Sequence, residues 1–181
     1  MTDVDIENII AYSKIANNLN IEDIAEKLPE FSYDPDKFLG LTLRMKKPDV
    51  AALLLKDGKT VLTGAKKLED IENAFETIVE KIEGIDIKLK KTPTIVIQNI
   101  VASIDLKKEL NLDLISKGLL SENIDYKPEQ FPGLIYKIGE KGASILIFDN
   151  GKIVFTGFLT IEEVTDAVEI IKGKLSTVKV L

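Results

Sequence analysis

The groups that could carry out chemistry in this sequence are carboxylates, lysines, tyrosines and serines, because none of its 181 residues is His or Cys. A Ser-His-Asp or Cys-His nucleophilic site, a thiol redox centre and a zinc site with nitrogen and sulfur ligands are therefore excluded. Acid–base chemistry or oxygen-bound magnesium stays open, with Glu162, Glu163 and Asp166 as the candidate cluster. These acids alternate with the apolar residues of a predicted amphipathic helix. A solvent-exposed helix face therefore explains them better than a metal or catalytic site. We expect no enzyme, no cofactor and no metal.

Asn and Thr side chains, which can form hydrogen bonds, recur at corresponding positions in the first and second halves of the sequence. Asn8 and Asn99 stand among β-branched neighbours in strand-like segments, where Asn is normally disfavoured. Thr63 and Thr156 each stand two positions after a valine, and residues two positions apart share a strand face. Taken singly, such an Asn can bond a neighbouring strand, and Thr is a common strand residue. Their recurrence indicates a constraint that is either structural or functional.

The sequence is internally duplicated. Shifted by 93, residues 33–79 agree with residues 126–172 at 15 of 47 positions, and segments nearer the start match at a shift of 91. An insertion near residues 117–123 reconciles the two shifts. The duplication predicts two domains, residues 1–91 and 92–181, with a seam at Lys91-Thr92-Pro93.

Each half predicts the same elements. It opens with a strand, at 6–13 or 94–104, and continues with a helix for which Asn20 or Asn111 is the candidate N-cap. A strand with period-two alternation follows. Its residues expected on one side are Phe38, Leu41, Leu43 and Met45.

Two further strands and a helix complete each half. The strands are joined by Asp57-Gly58 or Asn150-Gly151, dipeptides typical of type I′ hairpin turns. The closing helix carries an apolar stripe, which is Ile71, Phe75, Ile78 and Ile82 in the first half and Ile161, Val164, Val168 and Ile171 in the second. This order predicts an α+β fold with the helices on one face of an antiparallel sheet. The uncovered face is the expected place for function.

Motifs along the whole chain resemble the core of the TATA-binding protein family. They are Tyr-Asp-Pro-Asp-Lys-Phe (33–38), Tyr-Lys-Pro-Glu-Gln-Phe-Pro-Gly-Leu-Ile-Tyr (126–136), Asp-Gly-Lys-Thr-Val-Leu-Thr-Gly-Ala-Lys (57–66) and Ile-Gln-Asn-Ile-Val (97–101). The resemblance implies a saddle, with a curved antiparallel sheet on the DNA minor groove and helices on the convex face. Because the chain begins almost at this core, we expect an archaeal general transcription factor. Such a protein binds and bends TATA-box promoter DNA and nucleates assembly of the preinitiation complex.

The resemblance also implies DNA contacts at matching positions. The apolar wedges that enter the base stack correspond to Phe131 with Phe148 and to Phe38 with Leu55, where family members usually carry Phe. The hydrogen-bonding groups correspond to Asn8, Asn99, Thr63 and Thr156, and the apolar floor to Ile10, Val61, Val101 and Val154. The minor groove presents mostly acceptors, and an apolar floor leaves the guanine amino group unpaired. An uncharged face therefore selects A·T pairs.

The net charge of −6 at pH 7 is opposite to that expected of a DNA-binding protein. Its distribution answers this objection. Residues 37–67 hold eight basic and two acidic residues, residues 68–86 one basic and seven acidic, and residues 130–160 three basic and two acidic. We expect basic strands and an acidic helix on opposite faces, with more phosphate attraction in the first half. The candidate phosphate contacts are Arg44, Lys59, Lys137 and Lys152.

The implied partners are promoter double-stranded DNA, transcription factor B and the RNA polymerase assembly. Family members meet transcription factor B through an acidic loop beside the second wedge. Here Glu129 is retained, whereas Lys127 and Gln130 replace residues that are usually acidic and apolar. The sequence does not decide whether the free protein forms a homodimer.

Two further expectations concern location and the alternative function. The first residues carry acids instead of a basic targeting region, and no apolar run is long enough to cross a bilayer. We therefore expect no membrane partner and a cytoplasmic, nucleoid-associated location. The alternative function is a duplicated ligand-binding or protein-interaction module of the same architecture.

Overall fold

A computed structural model describes residues 3–90, 93–119, 123–139 and 142–178. The chain divides into two compact units. The first unit is Asn8–Gln98, and the second combines residues 3–7 with the residues from 99 onward. Lys91 and Thr92 of the predicted seam lie outside the described residues. Within the described ranges, no helix is long and apolar enough to cross a membrane.

The same order of elements occurs twice along the chain. The first set is β1 (Asp5–Lys14), α1 (Ile21–Lys27), β2 (Ser32–Tyr33), β3 (Gly40–Arg44), β4 (Ala51–Leu55), β5 (Lys59–Ala65) and α2 (Leu68–Glu83). The second set is β6 (Val96–Asp105), α3 (Leu112–Gly118), β7 (Ile124–Asp125), β8 (Leu134–Ile138), β9 (Ala143–Ile147), β10 (Lys152–Phe158) and α4 (Ile161–Thr177). The prediction of an internally duplicated α+β fold is confirmed.

Each unit contains an antiparallel sheet. The strand order is β2-β3-β4-β5-β1 in the first unit and β7-β8-β9-β10-β6 in the second. Both predicted hairpins are present, but their turns are not type I′, because Gly58 and Gly151 have φ values of +78° and +87° whereas Asp57 and Asn150 do not have positive φ. The N–H groups of the two glycines donate to the carbonyls of Leu55 at 2.9 Å and Phe148 at 3.1 Å. A Cβ atom at either glycine would collide with a backbone carbonyl, that of Ala16 or of Lys108. The backbone conformation and the close approach therefore both require glycine.

The predicted N-caps are confirmed for both short helices. The Asn20 side chain accepts a hydrogen bond from the Asp23 N–H at 3.2 Å. The Asn111 side chain accepts one from the Leu114 N–H at 2.9 Å. Each cap satisfies one backbone donor that the helix itself leaves unpaired.

The apolar stripes of the two long helices are buried with one exception. The stripe of α2 is buried as predicted, and so are Val164, Val168 and Ile171 of α4. Ile161, however, is 38% exposed, so its assignment to the buried stripe is wrong. It is the first residue of α4, and the buried part of the helix begins one turn later and continues to Leu175.

The side on which Phe38 lies also differs from the prediction. Leu41, Leu43 and Met45 are buried, whereas Phe38 is 38% exposed. Strand β3 begins only at Gly40, so Phe38 precedes the strand and its period-two alternation does not apply. The Phe38 ring instead lies over Gly40, where a Cβ atom would be 2.6 Å from Phe38 Cε1.

A charged network ties α1 to the β4–β5 hairpin of the first unit. Glu22 Oε1 accepts hydrogen bonds from Lys56 Nζ at 3.0 Å and from the Tyr33 hydroxyl at 3.1 Å. The hydrogen bond from Lys56, followed by one from the backbone, lowers the pKa of the Glu22 carboxyl. Desolvation, followed by the hydrogen bond to Glu22, raises the pKa of Tyr33.

This network predicts a small acid sensitivity. Because the pKa of Glu22 is lowered in the folded state, its stabilising effect is present above the unfolded pKa and is lost as the pH falls through the folded pKa. We expect the wild type to lose slightly more Tm than Glu22→Gln between neutral and acidic pH, since an exposed ion pair contributes little. Thermal unfolding of both proteins by circular dichroism measures the difference, and equal losses would contradict it.

Candidate functional site

Each sheet has one buried face and one partly exposed face. In the first unit, α2 packs on the sheet, and the buried strand residues include Ile9, Ala11, Leu41, Leu43, Ala52, Leu54 and Leu62. The residues that alternate with them form what we call the open face of the first unit. Its members are Asn8, Ile10, Tyr12, Thr42, Arg44, Ala51, Leu53, Leu55, Lys59, Val61 and Thr63.

The same alternation defines the open face of the second unit. Its members are Asn99, Val101, Ser103, Ile135, Lys137, Ser144, Leu146, Phe148, Lys152, Val154 and Thr156. The strand residues predicted to contact DNA therefore lie on the open face of their own unit. The predicted contacts Phe38 and Phe131 lie just before β3 and β8.

An apolar strip crosses the middle of each open face. In the first unit, Val61 is opposite Tyr12 on one side and Leu53 on the other. In the second unit, Leu146 lies between Val154 and Ile135. Leu53, Leu146 and Ile135 were not among the residues predicted from the sequence. Their strand periodicity is a usable signal, but their neighbours across the sheet follow only from the register.

Each predicted Asn side chain bridges to a neighbouring strand of its unit. Asn8 Oδ1 accepts a hydrogen bond from the Gly64 N–H at 2.7 Å, and Asn8 Nδ2 lies 3.2 Å from Thr63 Oγ1. Since a backbone N–H only donates, the atom facing Gly64 must be Oδ1. The amide nitrogen carries two hydrogens, so a donor remains beyond the one directed at Thr63.

The second unit repeats this arrangement. Asn99 Oδ1 accepts from the Gly157 N–H at 2.7 Å, and Asn99 Nδ2 lies 3.4 Å from Thr156 Oγ1. The two Asn residues thus hold neighbouring strands and also keep hydrogen-bond donors on the open faces. A structural role and a binding role coexist in the same side chain.

Irregular strand pairing explains why an Asn is needed at each place. The register shifts between Ile9 and Ala11 in the β1–β5 pair, and between Phe155 and Phe158 in the β10–β6 pair. Gly64 and Gly157 lie at these irregularities with φ values of +104° and +87°. A residue at such a point leaves the ladder, and the Asn oxygen takes up its N–H.

The predicted wedge residues come together in pairs. The rings of Phe131 and Phe148 are 5.8 Å apart between centroids, with an angle of 62° between their planes. Both rings lie over Gly133, where a Cβ atom would be 2.9 Å from Phe131 Cε1 and 3.1 Å from Phe148 Cε1. A glycine at this point leaves the space in which the two rings meet.

The first unit has the corresponding arrangement with a smaller side chain. A Cβ atom on Gly40 would be 2.6 Å from Phe38 Cε1 and 3.1 Å from Leu55 Cδ2. Phe38 and Leu55 therefore meet over Gly40, although they are 17 positions apart in the sequence. The neighbouring Leu39 is 73% exposed.

The predicted phosphate contacts have different neighbours in the two units. Lys59 Nζ lies 4.6 Å from the centroid of the Tyr12 ring, and Arg44 lies 3.7 Å from a carboxylate oxygen of Asp49. In the second unit, Lys152 Nζ lies 3.7 Å from a carboxylate oxygen of Glu7. Lys137 is exposed. Glu140 and Lys141, which entered the predicted charge balance, lie outside the described residues.

The basic residues of the first half are only partly on the open face. Arg44 and Lys59 lie there, whereas the others are in exposed segments at its edges or in turns, namely Lys37, Lys46, Lys47, Lys56, Lys66 and Lys67. The α2 acids Glu72, Glu76 and Glu80 are exposed on the helix. The acids are on α2 as predicted, whereas the prediction of basic strands holds only for Arg44 and Lys59, because the other six basic residues lie in turns and loops.

The remaining candidate residues are carboxylates outside the open faces. Glu129 is exposed in the segment between β7 and β8, close in sequence to Phe131. Glu163 accepts hydrogen bonds from the N–H groups of Leu159 at 2.9 Å and Thr160 at 3.1 Å, and so forms part of the capping box of α4. Among the described residues, no three Asp or Glu side chains converge on a point where a metal could bind.

Comparisons with known proteins give a consistent result over the whole chain. The model of the family described as "Transcription factor TFIID (or TATA-binding protein, TBP)" matches residues 3–85 and 94–178. The TATA-box-binding protein of Haloarcula marismortui is 42% identical over 178 residues, covering 98% of this chain and 96% of the relative. That of Archaeoglobus fulgidus is 42% identical over 174 residues, covering 96% and 95%. The solved structure titled "Methanococcus jannaschii TBP" is 38% identical, with a TM-score of 0.83 over 99% of both chains.

Proposed function

Because the chain belongs to the TATA-binding protein family, we propose that it is a general transcription factor that binds and bends A·T-rich promoter DNA through the minor groove. The observation that carries the proposal is the pair of open faces. Each combines an Asn donor, an apolar strip and a pair of apolar side chains meeting over a glycine. The family consists of DNA-binding transcription factors, not of enzymes. In this proposal, the two repeats, residues 1–91 and 92–181, each contact one half of the site.

The proposed selectivity follows from the chemistry of the groove floor. Adenine N3 and thymine O2 are acceptors, and the free Nδ2 hydrogens of Asn8 and Asn99 are suitable donors. Guanine adds an amino group that the apolar strip around Val61 or Val154 would leave without an acceptor. Leaving a buried donor unpaired costs about 1–3 kcal/mol. The open faces therefore favour A·T pairs.

The proposed bending acts through the apolar pairs. Inserting apolar side chains between base steps partly unstacks them and kinks the duplex toward the major groove, as is known for this family. Phe131 with Phe148 and Phe38 with Leu55 are the side chains placed for insertion. Unstacking costs about a few kcal/mol per step, which the enlarged contact with bent DNA offsets.

A gel-shift comparison tests the proposed function. Two duplexes of equal length, one A·T-rich and one G·C-rich, are titrated with the full chain at one fixed salt concentration. We expect tighter binding and a slower-moving, bent complex with the A·T-rich duplex. Equal affinity for the two duplexes, or no binding to either, would overturn the proposal.

The salt dependence of binding should differ between the two units. Each phosphate contact contributes a slope of roughly −0.9 in log affinity against log salt. Arg44→Ala with Lys59→Ala should flatten the slope by up to about 1.8, the value for two contacts. Lys137→Ala with Lys152→Ala should flatten it less, because the Lys152–Glu7 pair is less exposed than the Arg44–Asp49 pair at the same 3.7 Å, so solvent screens Glu7 less. Fluorescence anisotropy titrations at several salt concentrations measure the slope for each double variant. Equal slopes would show that the two units do not differ in phosphate contacts.

The proposal extends to protein partners and to place of action. A protein bound to promoter DNA in this way recruits transcription factor B and then the RNA polymerase assembly, in the cytoplasm on the nucleoid. Glu129, exposed beside Phe131, supports an acidic contact with transcription factor B. A pull-down of the purified factor with and without promoter DNA, using wild type and Glu129→Lys, tests this contact. Unchanged capture by Glu129→Lys would exclude Glu129 from it.

A further inference from the structure

Two acidic residues lie beside Lys152 in the second unit, Asp105 opposite it in the strand register and Glu7 within 3.7 Å. Glu7 belongs to this unit, and its Oε1 atom accepts a hydrogen bond from Ser103 Oγ at 2.6 Å. Ser103 lies opposite Val154 in the register and so shares the open face with it. The Ser103 residue is nevertheless only 4% exposed. The hydrogen-bond length is typical of a hydroxyl that donates to an ionised carboxylate.

The same carboxylate oxygen lies beside a proposed phosphate contact. Glu7 Oε1 is 3.7 Å from Lys152 Nζ, and both side chains are partly exposed to solvent. Lys152 is one of the two basic residues named above on the open face of this unit, the other being Lys137. A DNA phosphate that approaches Lys152 therefore meets a group of its own charge that already holds the lysine.

The internal duplication supplies a matched comparison. At the shift of 91, Gln98 is the counterpart of Glu7 and Tyr12 is the counterpart of Ser103. At the shift of 93, Lys59 is the counterpart of Lys152. Lys59 lies 4.6 Å from the Tyr12 ring centroid, and an aromatic ring orients a lysine without cancelling its charge. The first unit thus has a neutral Gln and an aromatic ring where the second has a carboxylate and a hydroxyl.

From this difference we infer that Glu7 is an affinity-limiting residue that competes with the DNA backbone for Lys152. The inference rests on the proposed function. DNA binding at this place exchanges one anion for another, so Lys152 adds little counterion release and little salt dependence. Phosphate contacts carry no sequence information, so Glu7 lowers the affinity for all duplexes by a similar factor. Recognition by this unit then depends more on its Asn donor and its aromatic pair.

The test uses Glu7→Gln in the full chain, which keeps a side-chain acceptor for Ser103 and removes the charge. The slope of log affinity against log salt should become steeper by roughly 0.9, the value of one recovered phosphate contact. Extrapolated from molar salt, this is roughly a fivefold gain in affinity at about 0.15 M salt. The gain should be similar for the A·T-rich and the G·C-rich duplex.

Two matched variants separate this effect from a change in net charge. Glu72→Gln makes the same charge change on the exposed side of α2 and should leave affinity and slope near those of the wild type. Gln98→Glu places a carboxylate at the corresponding position of the first unit and should weaken binding and flatten the slope. Lys152→Gln should reduce the slope more in the Glu7→Gln background than in the wild type.

The outcomes are distinguishable. If the wild type binds the A·T-rich duplex but Glu7→Gln and Glu72→Gln give the same affinity and slope, the inference is wrong and the proposed function stands. Weaker binding by Glu7→Gln would also overturn it, because Glu7 would then orient Lys152 for the phosphate. Melting curves report whether the variants are folded, and Lys152→Gln with equal slopes in both backgrounds rejects the competition independently of that. A wild type that binds neither duplex overturns the proposed function itself.

Discussion

Asn99→Ala combined with Thr156→Ala is expected to lower affinity for an A·T-rich duplex and to reduce discrimination against a G·C-rich one. The variant loses the Nδ2 donor on the open face of the second unit together with its neighbouring hydroxyl. A hydrogen bond contributes about 1 kcal/mol net, so the expected loss is roughly fivefold for one donor. Anisotropy titrations with both duplexes at the same salt concentration measure affinity and discrimination together.

The matched variant in the first unit is Asn8→Ala with Thr63→Ala, and the loss there should be of similar size. Both units together should lose roughly thirtyfold if the sites act independently. The fold should survive, because Gly64 is exposed and Gly157 half-exposed, so water can replace the lost Asn oxygen. A sharp drop in Tm with unchanged preference for A·T pairs would instead show that these residues serve the fold alone.

Exchanging the wedge residues between the two units is expected to change the bend of the DNA in opposite directions. Phe148→Leu copies the Leu55 of the first unit and removes the aromatic contact with Phe131, whose ring lies 5.8 Å away. The smaller side chain unstacks the base step less, so the bend decreases. Leu55→Phe gives the first unit an aromatic pair with Phe38 over Gly40 and should increase the bend.

Bend angles are measured by energy transfer between fluorophores at the two ends of one A·T-rich duplex. Stacking of a base on an aromatic ring contributes about 1–3 kcal/mol, and Leu keeps only apolar contact, so Phe148→Leu should also weaken binding by roughly fivefold. The combined variant should return the total bend toward the wild-type value. An unchanged bend in both single variants would mean that positions 55 and 148 do not enter the base stack.

The sequence alone determined the elements and their duplication, because these follow from short-range rules. The hairpin turns at Gly58 and Gly151 require glycine locally, and the caps Asn20 and Asn111 act within three residues. The period of apolar residues assigned the faces of α2 correctly. The predicted face was wrong for Phe38 and Ile161, because each lies outside the regular part of its element. Phe38 precedes its strand, and Ile161 precedes the buried turns of its helix.

Only the tertiary structure decided what each open-face residue touches. Asn8 meets Gly64 across 56 positions and Ser103 meets Glu7 across 96, and neither partner follows from the periodicity of one strand. Periodicity states which face a side chain is on, whereas its neighbours depend on register and on the irregularities near Gly64 and Gly157. Lys59 and Lys152 occupy matching positions of the repeat, but one lies beside the Tyr12 ring and the other beside the Glu7 carboxylate. This difference in surroundings therefore appears only when the strands are paired.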